Sequence, residues 1–181
     1  MELKAEERKG TAKRLRREGM IPAIIYAEKG ASKEIALSTR DFETALRQIP
    51  KGRLSTTIFT LKQAGGDVQV VVKDIQYHVT TYNVLHLDLQ ELKSDVPLNV
   101  NVPLRLAGGD DSPGVKLGGV VRPVIRTLRV NCLPKAIPSE FVLDISDLNL
   151  GGTKRLSDIP LPEGIRPLAK MDEVAVVIAK R

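Results

Sequence analysis

Three observations predict a mainly β protein in two domains. Apolar and polar residues alternate in several short runs, 14 glycines and 11 prolines punctuate the chain, and only one stretch carries a helical spacing. The alternation is clearest in VLHLDLQEL at 84–92 and in VPLNVNVPLRLAG at 96–108.

Taken in order, Met20 to Ala27 (MIPAIIYA) is too short for a helix, and its Pro22 suits the start or edge of a strand. Glu34 to Leu37 is expected to pair with it across the turn KGAS. Thr39 is the expected N-cap of a helix over residues 40–49. Phe42, Ala45, Leu46 and Ile49 line one face of that helix, and Pro50 and Gly52 end it. Asp41 and Glu43 lie near its positive end and Arg47 near its negative end, which suits the helix dipole.

Ser55 to Leu61 and Val68 to Ile75 flank KQAGGD, whose glycines supply the positive φ of a hairpin loop. In Val84 to Leu92, Leu85, Leu87 and Leu89 are expected on one side of a strand and His86, Asp88 and Gln90 on the other. The polar triplet KSD at 93–95 then separates two dense runs. It sets the expected boundary between a first domain, residues 1–92, and a second, residues 93–181.

The second half opens with the alternating strand ended by the loop GGDDSPG. Val121, Ile125 and Leu128, broken by Arg122, Pro123, Arg126 and Arg129, predict strands on a solvent-exposed sheet, with Pro123 at an edge or bend. Phe141 to Ile145 and Val174 to Ala179 complete an all-β domain. Between them, DLNLGGTKRLSDIPLPEGIRP is rich in turn residues, with room for one helical turn at Ser146 to Leu150.

Composition excludes several classes of function. With one cysteine, Cys132, no internal disulfide is available, and with only His78 and His86 no Cys/His zinc cage can be assembled. Cys132 lies in LRVNCLP, where a small buried residue is expected rather than a nucleophile. The Gly-Gly pairs at 65, 108, 118 and 151 match neither phosphate-loop pattern. His86 and Asp88 could orient an acid–base pair, yet no GxSxG brings a nucleophile. Neither catalysis nor a cofactor is expected. No apolar run approaches the ~18 residues of a membrane span, and the opening MELKAEERKG lacks the apolar middle of a secretory signal. The expected location is therefore the cytosol.

The net charge is +6 and the isoelectric point about 9.5. Residues 1–91 hold 15 basic and 12 acidic side chains and residues 92–181 hold 13 and 10, so each half carries +3. Only RKGTAKRLRR is concentrated: Arg8, Lys9, Lys13, Arg14, Arg16 and Arg17 stand there without an acid, and Leu15 is its one large apolar residue. It reads as a surface segment with unneutralised charge, which fits a polyanion or, on the plainer reading, a solvated arm. With six aromatic residues and no tryptophan, a stacking platform for single strands is unexpected. A structured duplex is favoured. Lysines and arginines would grip its phosphates, while Tyr26, Gln76, His86 and Asp88 would meet 2′-hydroxyls or base edges. Asp88 would accept from a base amine, orient a neighbouring His or Arg, or stand solvated.

RKGTAKRLRREGMIPAIIYA, VKDIQYHV and HLDLQEL closely resemble the first domain of the bacterial 5S-rRNA-binding large-subunit ribosomal proteins, the general-stress CTC family. The stretch from PLRLAGGDDSPG to SDLNLG, with LSDIPLPEGI, resembles the β-rich second domain of the longer members. The resemblance implies a six-stranded barrel-like N-terminal domain with short helices. It implies binding to the irregular loop E duplex of 5S rRNA in the central protuberance, alongside other large-subunit components and away from any membrane, by a protein monomeric off the ribosome. The family's RNA contacts fall on Arg17, Tyr26, Gln76, His86 and Asp88, with Lys13, Arg14 and Arg16 matching neighbouring basic contacts; Lys9, in the same basic run, is also expected to bind RNA. Tyr26 could equally cap the barrel with its hydroxyl in water. A general-stress module whose basic run meets an acidic protein is the alternative from another class, and an enzyme is the third.

Overall fold

The structure, a computed structural model, describes residues 1–26, 32–63 and 66–180. All of the KGAS turn except Ser32, and Gly65 of the hairpin loop, lie outside the described residues. The chain divides into two units, Met1–Val96 and Pro97–Arg181.

In the first unit, strands β1 (Glu2–Glu7), β2 (Met20–Tyr26), β3 (Lys33–Ser38), β4 (Ile58–Gln63), β5 (Gly66–Tyr77) and β6 (Val84–Glu91) form a closed barrel in the order β1-β3-β2-β6-β5-β4. Helix α1 (Ala12–Arg17) joins β1 to β2, and α2 (Thr39–Gln48) follows β3. Parallel pairing of β1 with β4, Leu3 beside Leu61, shuts the barrel, so no strand edge is left to aggregate. Alternation fills the interior with Leu3, Ile21, Ala23, Ile25, Leu37, Phe59, Leu61, Val70, Leu87 and Leu89, all buried. Because the side-chain period is two, a one-residue slip of any strand would turn this set out to water.

Several expectations shift by a few residues, each for a local reason. Helix α2 is capped by Ser38, whose Oγ accepts the Asp41 N–H at 3.4 Å; Thr39 is the first helical residue, because the chain stays extended only through Ser38. The expected apolar stripe is otherwise in place, with Phe42 fully buried and its ring tilted on that of Phe59, centroids 6.3 Å apart. The strand expected from Ser55 begins at Ile58, since Leu54–Thr56 winds into a 3-10 turn. There the hydroxyls of Thr56 and Thr57 donate to the Arg53 carbonyl at 3.0 and 2.8 Å, a local alternative to the ladder. Val84, rather than Leu85, joins the core at the start of β6, because the β5–β6 register shifts between Gln76 and Tyr77.

The second unit holds two open sheets. Strands β7 (Leu98–Ala107), β9 (Thr127–Cys132), β10 (Phe141–Asp144) and β12 (Arg166–Pro167) form one, in the order β10-β7-β9-β12; β8 (Val120–Pro123), β11 (Thr153–Arg155) and β13 (Val174–Ala179) form the other, in the order β11-β13-β8. Leu98, Val100, Val102, Leu128, Val130, Phe141, Leu143, Leu156, Val176 and Ile178 are buried. Pro123 ends the edge strand β8, as its missing N–H demands. Cys132 is buried, and burial pushes its thiol pKa up, away from nucleophilic use.

One expectation fails here. Ser146 to Leu150 forms a turn instead of a helical turn, with Asp144 Oδ1 accepting the Ser146 N–H at 2.9 Å. The expected β domain is in place, with a single helical turn, α3 (Pro113–Lys116), after the GGDD loop. Pro113 suits its first position, and the fully buried Ser112 donates its hydroxyl to the Leu148 carbonyl at 2.6 Å. Gly114 is required: a Cβ there would come within 2.7 Å of the Asn149 backbone.

Candidate nucleic-acid interface

The basic run winds into helix α1, whose one large apolar side chain, Leu15, is only 6% exposed. The run is otherwise the surface segment expected: Leu15 lines a groove with Met20, Ile35 and Ala36, and α1 packs against β2. Gly19, with φ of 77°, turns the chain from helix into strand.

The charge of the run is not wholly unneutralised. Arg14 Nε meets Glu18 Oε1 at 2.8 Å, one helical turn on, and this hydrogen bond raises the guanidinium pKa further. Arg8 pairs with Glu34 at 3.0 Å. Lys9, Lys13 and Arg17 form no ion pair among the described residues and are exposed. Lys9 stands apart from the others, lining the groove beside Glu6, Glu7 and Lys33 before α1 begins.

Arg16 connects the helix to the barrel wall. Its Nε donates to the Leu85 carbonyl at 3.0 Å. Leu85 is the residue left over where Tyr77 pairs with Val84 and Gln76 with His86, and a bulge of this kind leaves a carbonyl free to accept. The basic helix is thereby fixed to the start of the strand that carries His86 and Asp88.

Strand register supplies the rest of the surface. On β2 and β6, Ile24 lies beside Asp88 and Tyr26 beside Gln90; on β5 and β6, Gln76 faces His86 and Asp74 faces Asp88. Their chain neighbours Ala23, Ile25, Leu87 and Leu89 point into the core, so these side chains share the outer wall of three adjacent strands. Tyr26 is 40% exposed and Gln76 exposed. His86 Nδ1 donates to Asp88 Oδ1 at 2.8 Å, with both side chains mostly covered. Of the roles weighed for Asp88, orienting a histidine is the one the geometry provides: with Nδ1 engaged by the carboxylate, Nε2 is the ring nitrogen left to meet a partner.

Asp74 is the wall residue that sequence reasoning missed. Two carboxylates directly opposite repel, but each has its own donor here: Asp74 Oδ1 accepts the Ile75 N–H at 2.9 Å, and Asp88 Oδ1 accepts the hydrogen bond from His86 Nδ1. No sequence signal marked it, because its placement follows from a second register shift between Val72 and Asp74.

The resulting surface has exposed cations at one margin and hydrogen-bonding groups set by strand register at its centre. That combination can neutralise phosphates while testing the shape and edges of a duplex. Among the described residues no group of three His, Cys, Asp or Glu is placed to hold a metal ion.

The sequence profile of the Ribosomal L25p family matches residues 3–89, and that of Ribosomal protein TL5, C-terminal domain, matches residues 97–181. The "Large ribosomal subunit protein bL25" of Chlamydia muridarum is 43% identical over 175 residues, covering 97% of this chain and 95% of the relative. Its namesake in Chlamydia trachomatis serovar L2 is 45% identical with the same coverage. That of Chlamydia pneumoniae is 40% identical over 174 residues, 96% of this chain and 94% of the relative. Matched in both halves, and against relatives along nearly their whole length, the chain belongs to the ribosomal L25p family, in the form that carries a TL5-type second domain; this is a family of structural ribosomal proteins and not of enzymes.

Proposed function

We propose that the chain is a structural protein of the large ribosomal subunit, working in the cytoplasm, that binds the loop E region of 5S rRNA through α1 and the outer wall of β2, β6 and β5. The observation that carries this reading is the 3.0 Å bond from Arg16 to the Leu85 carbonyl, which makes one surface out of the basic helix and the His86–Asp88 strand. Lys13, Arg14, Arg16 and Arg17 contact phosphates and supply most of the affinity. Tyr26, Gln76, His86 and Asp88, placed side by side by strand register, supply selectivity for an irregular duplex over a regular one.

Filter binding to 5S rRNA over a salt series tests this. With about five phosphates neutralised, log affinity falls against log salt with a slope of roughly −3.5 to −4.5. Arg16→Ala with Arg17→Ala weakens binding to every RNA, whereas His86→Ala or Asp88→Ala lowers the preference for loop E over a plain duplex by about 5- to 30-fold, the equivalent of one or two hydrogen bonds. A flat salt response, or equal competition by bulk tRNA and 5S rRNA, would sink the proposal. The second of those results would favour a general cationic module for acidic partners.

A further inference from the structure

The four-stranded sheet of the second unit buries one face completely and leaves the other open. Leu98, Val100, Val102, Leu128, Val130 and Cys132 are at most 4% exposed. The alternate residues face the other way, and register sets them in rows. Asn99 lies opposite Asn131, which lies opposite Arg166; Asn101 lies opposite Arg129, whose carbonyl accepts the Leu168 N–H at 3.0 Å.

Three properties separate this face from an ordinary solvated one. No outward position on β7, β9 or β12 carries a carboxylate; Asp144, the outward acid of the sheet, lies on β10, on the far side of β7 from β9 and β12. Arg129 and Arg166 are exposed and form no ion pair among the described residues, whereas Arg105 is held by Glu140 at 3.4 Å and Lys154 by Asp147 at 2.8 Å. Asn131 Nδ2 donates to Asn99 Oδ1 at 2.8 Å, which fixes both amides and leaves a donor on Asn99 and an acceptor on Asn131 for something else.

We infer that this face is a second RNA-binding surface, on which Arg129 and Arg166 contact phosphates and the Asn99–Asn131 pair meets the 2′-hydroxyls of a duplex. Charge complementarity selects a polyanion. The face carries no aromatic side chain, so it offers no stacking platform for single strands. Among the described residues no large apolar side chain on β7, β9 or β12 is exposed, and Val142 on β10 and Leu168 just past β12 stand singly, which leaves a protein partner without a clustered anchor. A wide, shallow minor groove lined with 2′-hydroxyls matches a flat sheet bearing amides between guanidinium groups.

The test uses the full chain and a regular 20-base-pair RNA duplex lacking loop E, titrated over a salt series. Arg129→Ala with Arg166→Ala lowers the magnitude of the salt slope by about 1.5 to 2. It leaves the preference for loop E of 5S rRNA unchanged, so a failure here is distinct from a failure of the first surface. Arg129→Lys with Arg166→Lys keeps the slope, and Asn131→Asp, which puts an anion on the face, weakens the duplex by several-fold. Should the alanine pair unfold, the lysine pair and Asn131→Asp decide the matter by themselves. An unmoved slope in a folded alanine variant overturns the inference. So does displacement of the duplex by polyglutamate at equal charge concentration, which would assign the face to an acidic protein.

Discussion

In the first unit every strand has two partners, because β1 closes on β4; in the second, β8, β10, β11 and β12 stand at the edges of open sheets. Those edges run only four, four, three and two residues, and β8 ends on Pro123. A closed barrel cannot bind by adding a strand, and short, proline-ended edges do so poorly. Neither unit therefore offers a long free edge among the described residues, and the surface each presents is chiefly the outward face of its strands, where alternation sorts polar groups from core groups, joined in the first unit by α1.

Their cores differ as well. The barrel contains the Phe42–Phe59 pair, which joins α2 to the strands, while the second unit is aliphatic apart from Phe141. Phe59→Ala removes a fully buried ring and should cost about 3–5 kcal/mol. Urea unfolding with separate probes in the two halves reads the outcome: the barrel transition moves and that of the second unit does not. A joint shift would mean that the halves unfold together, and the contrast between them would lose its meaning.

Leu15→Ala sharpens the comparison from the surface side. It empties one contact beneath α1 and should cost about 2 kcal/mol, at the low end for a leucine because the groove is open to water. Duplex RNA affinity should nevertheless fall about tenfold, although no charge has been removed, because a helix that frays no longer presents its cations in one geometry. Thermal melting and filter binding measure the two effects. Unchanged affinity would show that the basic run grips RNA as a loose arm, without docking on β2.

The sequence made the elements legible wherever side-chain period decides structure. The Phe42 to Ile49 stripe, the β2–β3 pairing and the Leu87 and Leu89 face all follow from alternation or helical spacing. It failed where single backbone hydrogen bonds decide, as at Ser38, at the 3-10 turn before β4 and at Ser146. The site divides in the same way. His86 and Asp88 were readable as neighbours on one face, and the cationic run as a patch. The bulge that frees the Leu85 carbonyl for Arg16, and the shift that brings Asp74 opposite Asp88, depend on cross-strand register, which no local pattern encodes. Barrel closure came only from resemblance, since no local pattern announces that β1 will meet β4.

Acid should distinguish the two units by the smallest effect of the three. In the second unit the Ser146 backbone N–H holds the Asp144 carboxyl below its ordinary pKa, and the Lys154 ammonium does the same for Asp147 at 2.8 Å. In the barrel, Lys62 acts likewise on Glu2, at 2.6 Å across the β1–β4 seam. A carboxylate depressed in the folded state binds its proton more readily when unfolded. Its stabilisation is therefore complete above the unfolded value of about 4 and is lost as pH falls through the lower folded value. With two such groups against one, the second unit should lose melting temperature faster than the barrel as pH drops from 5 towards 2.5. Asp144→Asn with Asp147→Asn should flatten the profile of the second unit alone, and Glu2→Gln that of the barrel alone. All three carboxylates are solvent-exposed, so added salt should shrink the Glu2 and Asp147 contributions and spare that of Asp144, whose main partner is an uncharged backbone N–H.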